Sequence, residues 1–274
     1  GSLAAYLGCE PKFSYDTVWY EPCAETIAEL SEKDFMRFSP WWEEHLREVR
    51  ETVRLSEGEF PVGIPDVQEN IDILAAMRGA QNLCYDLMDE PETVKTVLSR
   101  LEGAADYCYD EMYRAVALAD GSSVFTAFAI WGSGRTAKVQ CDFSAMISPG
   151  AYREFVLPGL MRECARLDHS LYHLDGPGAL VHAGAVLSIP SLQALQWTSG
   201  AGQNDGGSEE WFPLYDKVMD AGKSLWIQIY EGEPYVWLER AKKIVRRYGT
   251  RGIYFVFAPC SVEDAAELAR GLKV

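Results

Sequence analysis

The chain has 274 residues, 48% hydrophobic and 24% charged, with a net charge of −16. These are the proportions of a globular protein with a substantial core, and so acidic a surface argues against nucleic acid or anionic lipid as partner. No apolar run reaches the ~20 residues that span a bilayer, so no membrane is expected, and a small-molecule substrate in a local pocket is the partner left open.

In chain order, residues 13–20 read as an aromatic-rich strand and 42–55 as a charged helix. Residues 60–65 read as a short apolar strand ending at Asp66. Helices are expected over 70–79 and 91–119, the second opened by a proline in its first turn. Residues 124–131 have the pattern of a buried strand, followed by the loop Gly132-Ser133-Gly134-Arg135, and 138–143 read as a further short strand. Ser148 caps and Pro149 opens a helix running to residue 167. Then come the strand that carries His173, a short helix over 181–187, a strand over 192–197 and a Gly-rich loop over 198–208. Residues 209–221 read as helix, 224–230 as strand, 234–248 as helix, 252–258 as strand and 262–272 as helix. There is no internal repeat.

Strands alternating with helices through short connections imply an α/β fold with a parallel sheet. Seven or eight strands fit a closed (β/α)8 TIM barrel, a single domain over 1–274. A doubly wound open sheet is second, because no GxGxxG follows the first strand.

The most informative segment is Leu171-Tyr172-His173-Leu174-Asp175-Gly176-Pro177-Gly178. An imidazole and a carboxylate stand two residues apart, so on a strand they share a side, and the chain then breaks into a turn. Barrels keep their chemistry at that end of the strands. The plainer reading is a half-buried histidine and a turn-forming aspartate. Similar polar residues recur towards the ends of the other expected strands: Asp16, Tyr20, Asp66, Trp131, Arg135, Gln140, Asp142, Gln196, Trp197, Gln228, Tyr230 and Cys260. In a barrel they ring one mouth; singly, each is what begins any loop.

His173, Asp175 and Cys260 are all acceptable zinc ligands, and a catalytic zinc needs three plus an open position. Cys260, between Pro259 and a helix, serves equally as a cap or packing residue. Asp142 joins His173 and Asp175 as a catalytic candidate. Arg135, in a Gly-flanked loop, suits a substrate carboxylate or phosphate, or is a solvated surface residue. Gln196 is a positioning candidate, and Trp131, Trp197 and Tyr230, with Trp19, Tyr20 and Tyr172, offer an apolar wall for a flat or methylated ligand, or plain packing. Trp41-Trp42 covers a core edge or forms a homodimer contact. Seven cysteines at irregular spacing without CxxC fit a reduced cytoplasm, and no secretory signal is visible, although Gly1-Ser2 resembles an expression remnant.

From about residue 60 onward the chain resembles the uroporphyrinogen decarboxylase-like superfamily, which includes corrinoid-dependent methyltransferases and cobalamin-independent methionine synthase. The resemblance lies in Ile71-Asp72-Ile73-Leu74 with Arg78-Gly79 and residues 83–87, in DFSAMISPGAYREF at 142–155, in His173-Leu174-Asp175-Gly176, similar to the His-x-Cys-Gly of the methyltransferase branch, and in Ala194-Leu195-Gln196-Trp197. It implies a (β/α)8 barrel with its site at the C-terminal mouth and an N-terminal helical region that is short or absent here. In the methyltransferase branch a zinc held by His-x-Cys and a later Cys activates a thiol. His173 matches the histidine and Cys260 the late cysteine, whereas Asp175 stands where the first cysteine would, and Gln196 stands near a glutamate ligand of the methionine synthases. These departures imply a harder His/Asp site, or none. In the decarboxylase branch an arginine-rich segment follows the first strand; residues 15–22 here are acidic and lack arginine, which disfavours polyanionic uroporphyrinogen.

Three functions compete. The first is methyl transfer, metal-assisted by zinc, with a corrinoid carried by a partner protein or a methylated small molecule. The second is a metal-independent decarboxylase or lyase, with His173 as general acid and Arg135 holding the substrate carboxylate. The third is a non-catalytic binding member of the fold.

Overall fold

The computed structural model describes residues 1–15, 17–67 and 70–273; Asp16, one of the strand-end acids named above, lies outside them. Contacts group the chain into two units, residues 1–170 and 171–274, where the sequence suggests a single domain over 1–274.

The first unit carries α1 (Leu3–Tyr6), β1 (Glu10–Phe13), β2 (Val18–Glu21), α2 (Ile27–Glu32), α3 (Pro40–Ser56), α4 (Asn70–Arg78), α5 (Ala80–Asp89), α6 (Pro91–Val116), β3 (Ser123–Phe125), β4 (Ile130–Gly132), β5 (Thr136–Gln140), α7 (Pro149–Ala151), α8 (Leu157–Arg166) and the first residues of β6 (His169–Asp175). Its core is organised by α6, which starts at Pro91 as expected and buries Val94, Val97, Leu98, Leu101, Ala105, Cys108 and Met112 at helical spacing. Polar side chains on its flanks tie other segments to it. Arg100 donates to the carbonyls of Ser31 in the last turn of α2 and of Lys33 just past it, and Arg162 of α8 reaches Glu102 at 2.6 Å and Asp106 at 2.7 Å. Helices α1 to α6 thus form a substantial N-terminal helical region, where the resemblance implied a short or absent one.

Three expected strands turn out differently. In place of one strand over 13–20, Phe13 ends β1 and residues 18–20 belong to β2 of an antiparallel hairpin, with Phe13 opposite Val18 and the Ser14 amide donating to the Thr17 carbonyl at 2.9 Å. Residues 60–65 form no strand, although the Ile64 amide donates to Val124 O at 3.0 Å. Residues 124–131 fold back on themselves: β3 and β4 are antiparallel, joined by a 3-10 turn over Thr126–Phe128 and by Ala129 at φ 49°. A left-handed alanine gives no Gly or Pro signal, so the reversal is invisible in an apolar run. The helix expected from 148 forms with its cap, the Ser148 hydroxyl accepting from the Ala151 amide at 3.2 Å, but passes through one π turn over Tyr152–Val156. Pro158 lacks an amide hydrogen and its ring crowds the carbonyl four residues back; the wider turn relieves that crowding.

The second unit continues β6 and adds α9 (Ala183–Leu187), β7 (Ala194–Thr198), α10 (Phe212–Asp220), β8 (Ser224–Ile229), α11 (Pro234–Tyr248), β9 (Ile253–Phe257) and α12 (Val262–Gly271). Strands pair in the order β6-β7-β8-β9, all parallel. The fold is therefore α/β with a parallel sheet, as expected. The expected eight-stranded ring is not seen: β1 to β4 pair as antiparallel hairpins, and no sheet closes on itself among the described residues.

Register fixes what each face of this sheet carries. His173, Gln196, Trp226 and Tyr254 lie side by side on one face, followed in the next row by Asp175, Thr198, Gln228 and Val256. The opposite face carries Leu174, Trp197 and Phe257. There Trp197 meets Trp211 edge-on at 5.1 Å, and Phe257 stacks on Trp237 of α11 at 6.3 Å.

Asp205, fully buried, fastens the loops at the C-terminal end of the strands. Its carboxylate accepts from the amides of Tyr230 (2.7 Å), Glu231 (2.8 Å) and Gly207 (2.9 Å) and from Arg240 Nη1 (2.6 Å). Asp205→Ala leaves these donors unmatched in the interior and is expected to cost about 3 kcal/mol, seen as a lower urea midpoint with an unchanged slope.

Candidate functional site

In the second unit, the partners of His173 decide its chemistry. Its Nδ1 is hydrogen-bonded to Gln196 Oε1, while Gln196 Nε2 donates to Thr198 Oγ1 at 2.8 Å. A carbonyl oxygen only accepts, so Nδ1 carries a proton, and in the neutral ring Nε2 is the nitrogen with the lone pair. Nε2 lies 4.0 Å from Asp175 Oδ2, on the face predicted from their i, i+2 spacing. His173 is half-buried and Asp175 exposed, which places a ring held by Gln196 beside a solvent-facing carboxylate.

In the first unit, β5 carries a second polar chain. Lys138, buried to 2% exposure, donates from Nζ to Asp66 Oδ2 at 2.5 Å and to Gln140 Oε1 at 2.6 Å. Gln140 Nε2 donates to Asp142 Oδ2 at 2.9 Å. The three residues alternate along the chain and so share a side. Asp72 of α4 accepts from the amides of Asp142 and Phe143 at 2.8 and 2.9 Å, holding the backbone where β5 ends. Beside them opens a cavity of about 620 Å³ lined by Trp19, Tyr20, Asp72, Asp142, Phe143 and Met146, among other residues. Two carboxylates and no lysine or arginine side chain line it among the described residues.

Within the second unit the structure brings His173, Asp175 and Gln196 together, and within the first it brings Asp142 against Gln140. The other expected residues lie elsewhere. Arg135 precedes β5, a strand's length (about 17 Å for five residues) from the end that carries Asp142. It pairs with Asp110 at 3.2 Å and lies over the Tyr113 ring at 5.0 Å. The strand-end reading put it at the wrong end because β4 runs back against β3. Trp131 sits exposed on that same hairpin. Trp197, next to Gln196, points to the opposite face and packs in the core. Tyr230 follows β8 at the expected end, partly exposed, its amide bound by Asp205. Cys260 is exposed beyond β9, while His173 is on β6; three strand spacings, about 14 Å along the sheet, separate the two strands. Direct ligands of one zinc lie far closer than that. Trp42 is core, edge-on to Tyr6 at 5.1 Å, and Trp41, partly exposed, leans on Phe13. Lys138 and Asp72 were not picked out as functional from sequence: a lysine within an apolar strand reads as a solvated edge residue, and its partner Asp66 is 72 residues away.

No protein-family model matches the chain, and no curated protein sequence matches it. Among solved structures, the fold is shared with a methyltransferase from Methanosarcina mazei, at a TM-score of 0.65 and 11% identity, over 98% of this chain and 76% of that one. At that identity the likeness is one of architecture. No helix among the described residues is long and apolar enough to cross a membrane.

The tautomer can be checked directly. In 15N-labelled protein at mildly alkaline pH, His173 is expected to show its proton on Nδ1, and Gln196→Leu is expected to move it to Nε2, the form free imidazole side chains prefer. An unchanged spectrum would remove Gln196 as the orienting group.

Proposed function

We propose that this protein is a small-molecule methyl-transfer enzyme in which His173 and Asp175 bind the metal that prepares the acceptor. The observation that carries the reading is the His173 ring held by Gln196 with its Nε2 4.0 Å from Asp175 Oδ2. The fold shared with a methyltransferase supports it. A closed barrel belongs to the same reading, the βα succession from β6 to β9 being its repeating unit.

The donor set fits a divalent metal. Ligands bonded at about 2.0–2.2 Å stand roughly 3.4 Å apart in a tetrahedron, so the 4.0 Å between Nε2 and Oδ2 closes with a small rotation of the exposed Asp175. Bound there, a metal would supply Lewis acidity that lowers the acceptor's pKa. An imidazole–carboxylate set is harder than the thiolate set of the methyltransferases this sequence resembles, which favours an oxygen or nitrogen acceptor over a thiol. Within the chain, Gln196 holds the proton of the neutral ring on Nδ1, so that Nε2 is the nitrogen offered to a metal, Thr198 keeps the Gln196 amide oriented, and Asp175 balances the added positive charge.

The substrate class follows from the first unit's cavity. Carboxylates with Trp19 and Tyr20, and no lysine or arginine side chain, suit a neutral or cationic methylated molecule and disfavour a polyanion. The methyl donor in this reading is a corrinoid on a partner protein or such a methylated compound. The lyase reading loses its carboxylate clamp, since Arg135 is already paired with Asp110.

Two measurements test this. Zinc or cobalt(II) titrated into metal-free protein should bind at one equivalent, and His173→Ala and Asp175→Ala should each weaken binding about tenfold or more. Asp142→Asn in the same series decides whether the carboxylate named from sequence contributes. Binding unaffected by either His173 or Asp175 would discard the site. In calorimetry, a small trimethylammonium compound should bind in preference to its carboxylate counterpart, and Trp19→Ala should weaken it about tenfold. Preference for the carboxylate would overturn the substrate class.

A further inference from the structure

Two cysteines outside this machinery are built as a pair. Cys9 directly precedes β1 and Cys23 follows β2 by two residues, so both lie at the open end of the hairpin. Their sulfurs are 3.3 Å apart, the Cys9 thiol donating to Cys23. Cys9 is buried and Cys23 exposed. The Cys23 amide donates to Met77 O at 2.9 Å, which holds that end of the pair on α4. The hydrogen bond from Cys9, helped by the positive charge of Lys33, lowers the Cys23 thiol to about 7, while the same bond and burial push Cys9 upward. An accessible thiolate backed by a buried thiol is the arrangement that thiol–disulfide exchange requires.

We propose that Cys9 and Cys23 form a reversible dithiol–disulfide centre whose substrate is a low-molecular-weight disulfide, with Cys23 attacking and Cys9 resolving. The Cys23 thiolate attacks one sulfur of the disulfide RSSR, forming a Cys23–SR mixed disulfide and releasing RS⁻. Cys9 then gives up its proton and attacks Cys23 Sγ, displacing the second RS⁻ and closing the Cys9–Cys23 bond. RSSR gains two electrons and leaves, after protonation, as two RSH; the protein loses two hydrogens. The bond ties β1 to β2, the strand that carries Val18, Trp19 and Tyr20 of the cavity lining, so oxidation restrains that wall.

Reduced full-length protein treated with glutathione disulfide, then acid-quenched, alkylated and peptide-mapped, tests this. The expected product is the loss of two hydrogens in a single Cys9–Cys23 cross-link that dithiothreitol reverses. Cys9→Ala should stop at a stable glutathione adduct on Cys23, and Cys23→Ala should leave Cys9 unmodified. Cys9→Ala should also slow iodoacetamide alkylation of Cys23 at neutral pH about threefold, a larger loss of thiolate being partly offset by higher intrinsic nucleophilicity. If Cys9→Ala fails to fold, Cys9→Ser traps the same adduct. A stable adduct on wild-type Cys23, a cross-link through Cys84 or Cys260, or an unreactive Cys23 would each overturn the proposal.

Discussion

A lysine ammonium sealed from water sets the geometry of the first unit's polar site. Removing Lys138 from solvent costs several kcal/mol, offset only by close partners, and its structure supplies Asp66 at 2.5 Å and Gln140 Oε1 at 2.6 Å. With that oxygen committed, the Gln140 amide nitrogen must point the other way, to Asp142. A charge at one end of the chain thus fixes an amide, and the amide fixes a carboxylate. The second unit repeats the device without a charge: Thr198 fixes the Gln196 amide, which fixes the His173 ring. In each unit a strand glutamine orients the chemically able residue, and the ordering is worth more than any one bond in it.

The sequence carried most of the helices and all four parallel strands of the second unit. Their signals are local: a proline at a first turn, a serine cap, apolar runs with polar ends. The His173–Asp175 pair was readable for the same reason, since two-residue spacing on a strand is a local fact. What failed depended on distance or on chain direction. The β3–β4 reversal turns on one left-handed alanine, and with it Arg135 moved to the wrong end of β5. Trp197 was grouped with Gln196 although neighbours on a strand face opposite ways. The burial of Lys138 depends on an aspartate distant in sequence, and the separation of Cys260 from His173 depends on a strand order that composition does not reveal.

Acidity, an argument against nucleic acid at the level of the whole chain, acquires a local meaning in the cavity beside Asp142. Its lining, which also includes Gly1, carries two carboxylates and the exposed Trp19, and on these the proposed preference for a neutral or cationic methylated molecule rests. The loops beyond the strands of the second unit owe their position to Asp205, a buried carboxylate satisfied by three amides and a guanidinium. That residue serves architecture, whereas the exposed Asp175 is the one the proposed function draws on; the difference is how many donors Asp205 has already engaged.

The clamp on the His173 ring also limits what that ring can do. Carrying a proton in through one nitrogen and out through the other would require Gln196 to turn its amide, so that its NH2 faces Nδ1 and the Thr198 hydroxyl donates where it now accepts, and donor would meet donor whenever the ring is doubly protonated. The imidazole is therefore held as a one-sided contact, unsuited to relaying a proton from one ring nitrogen to the other.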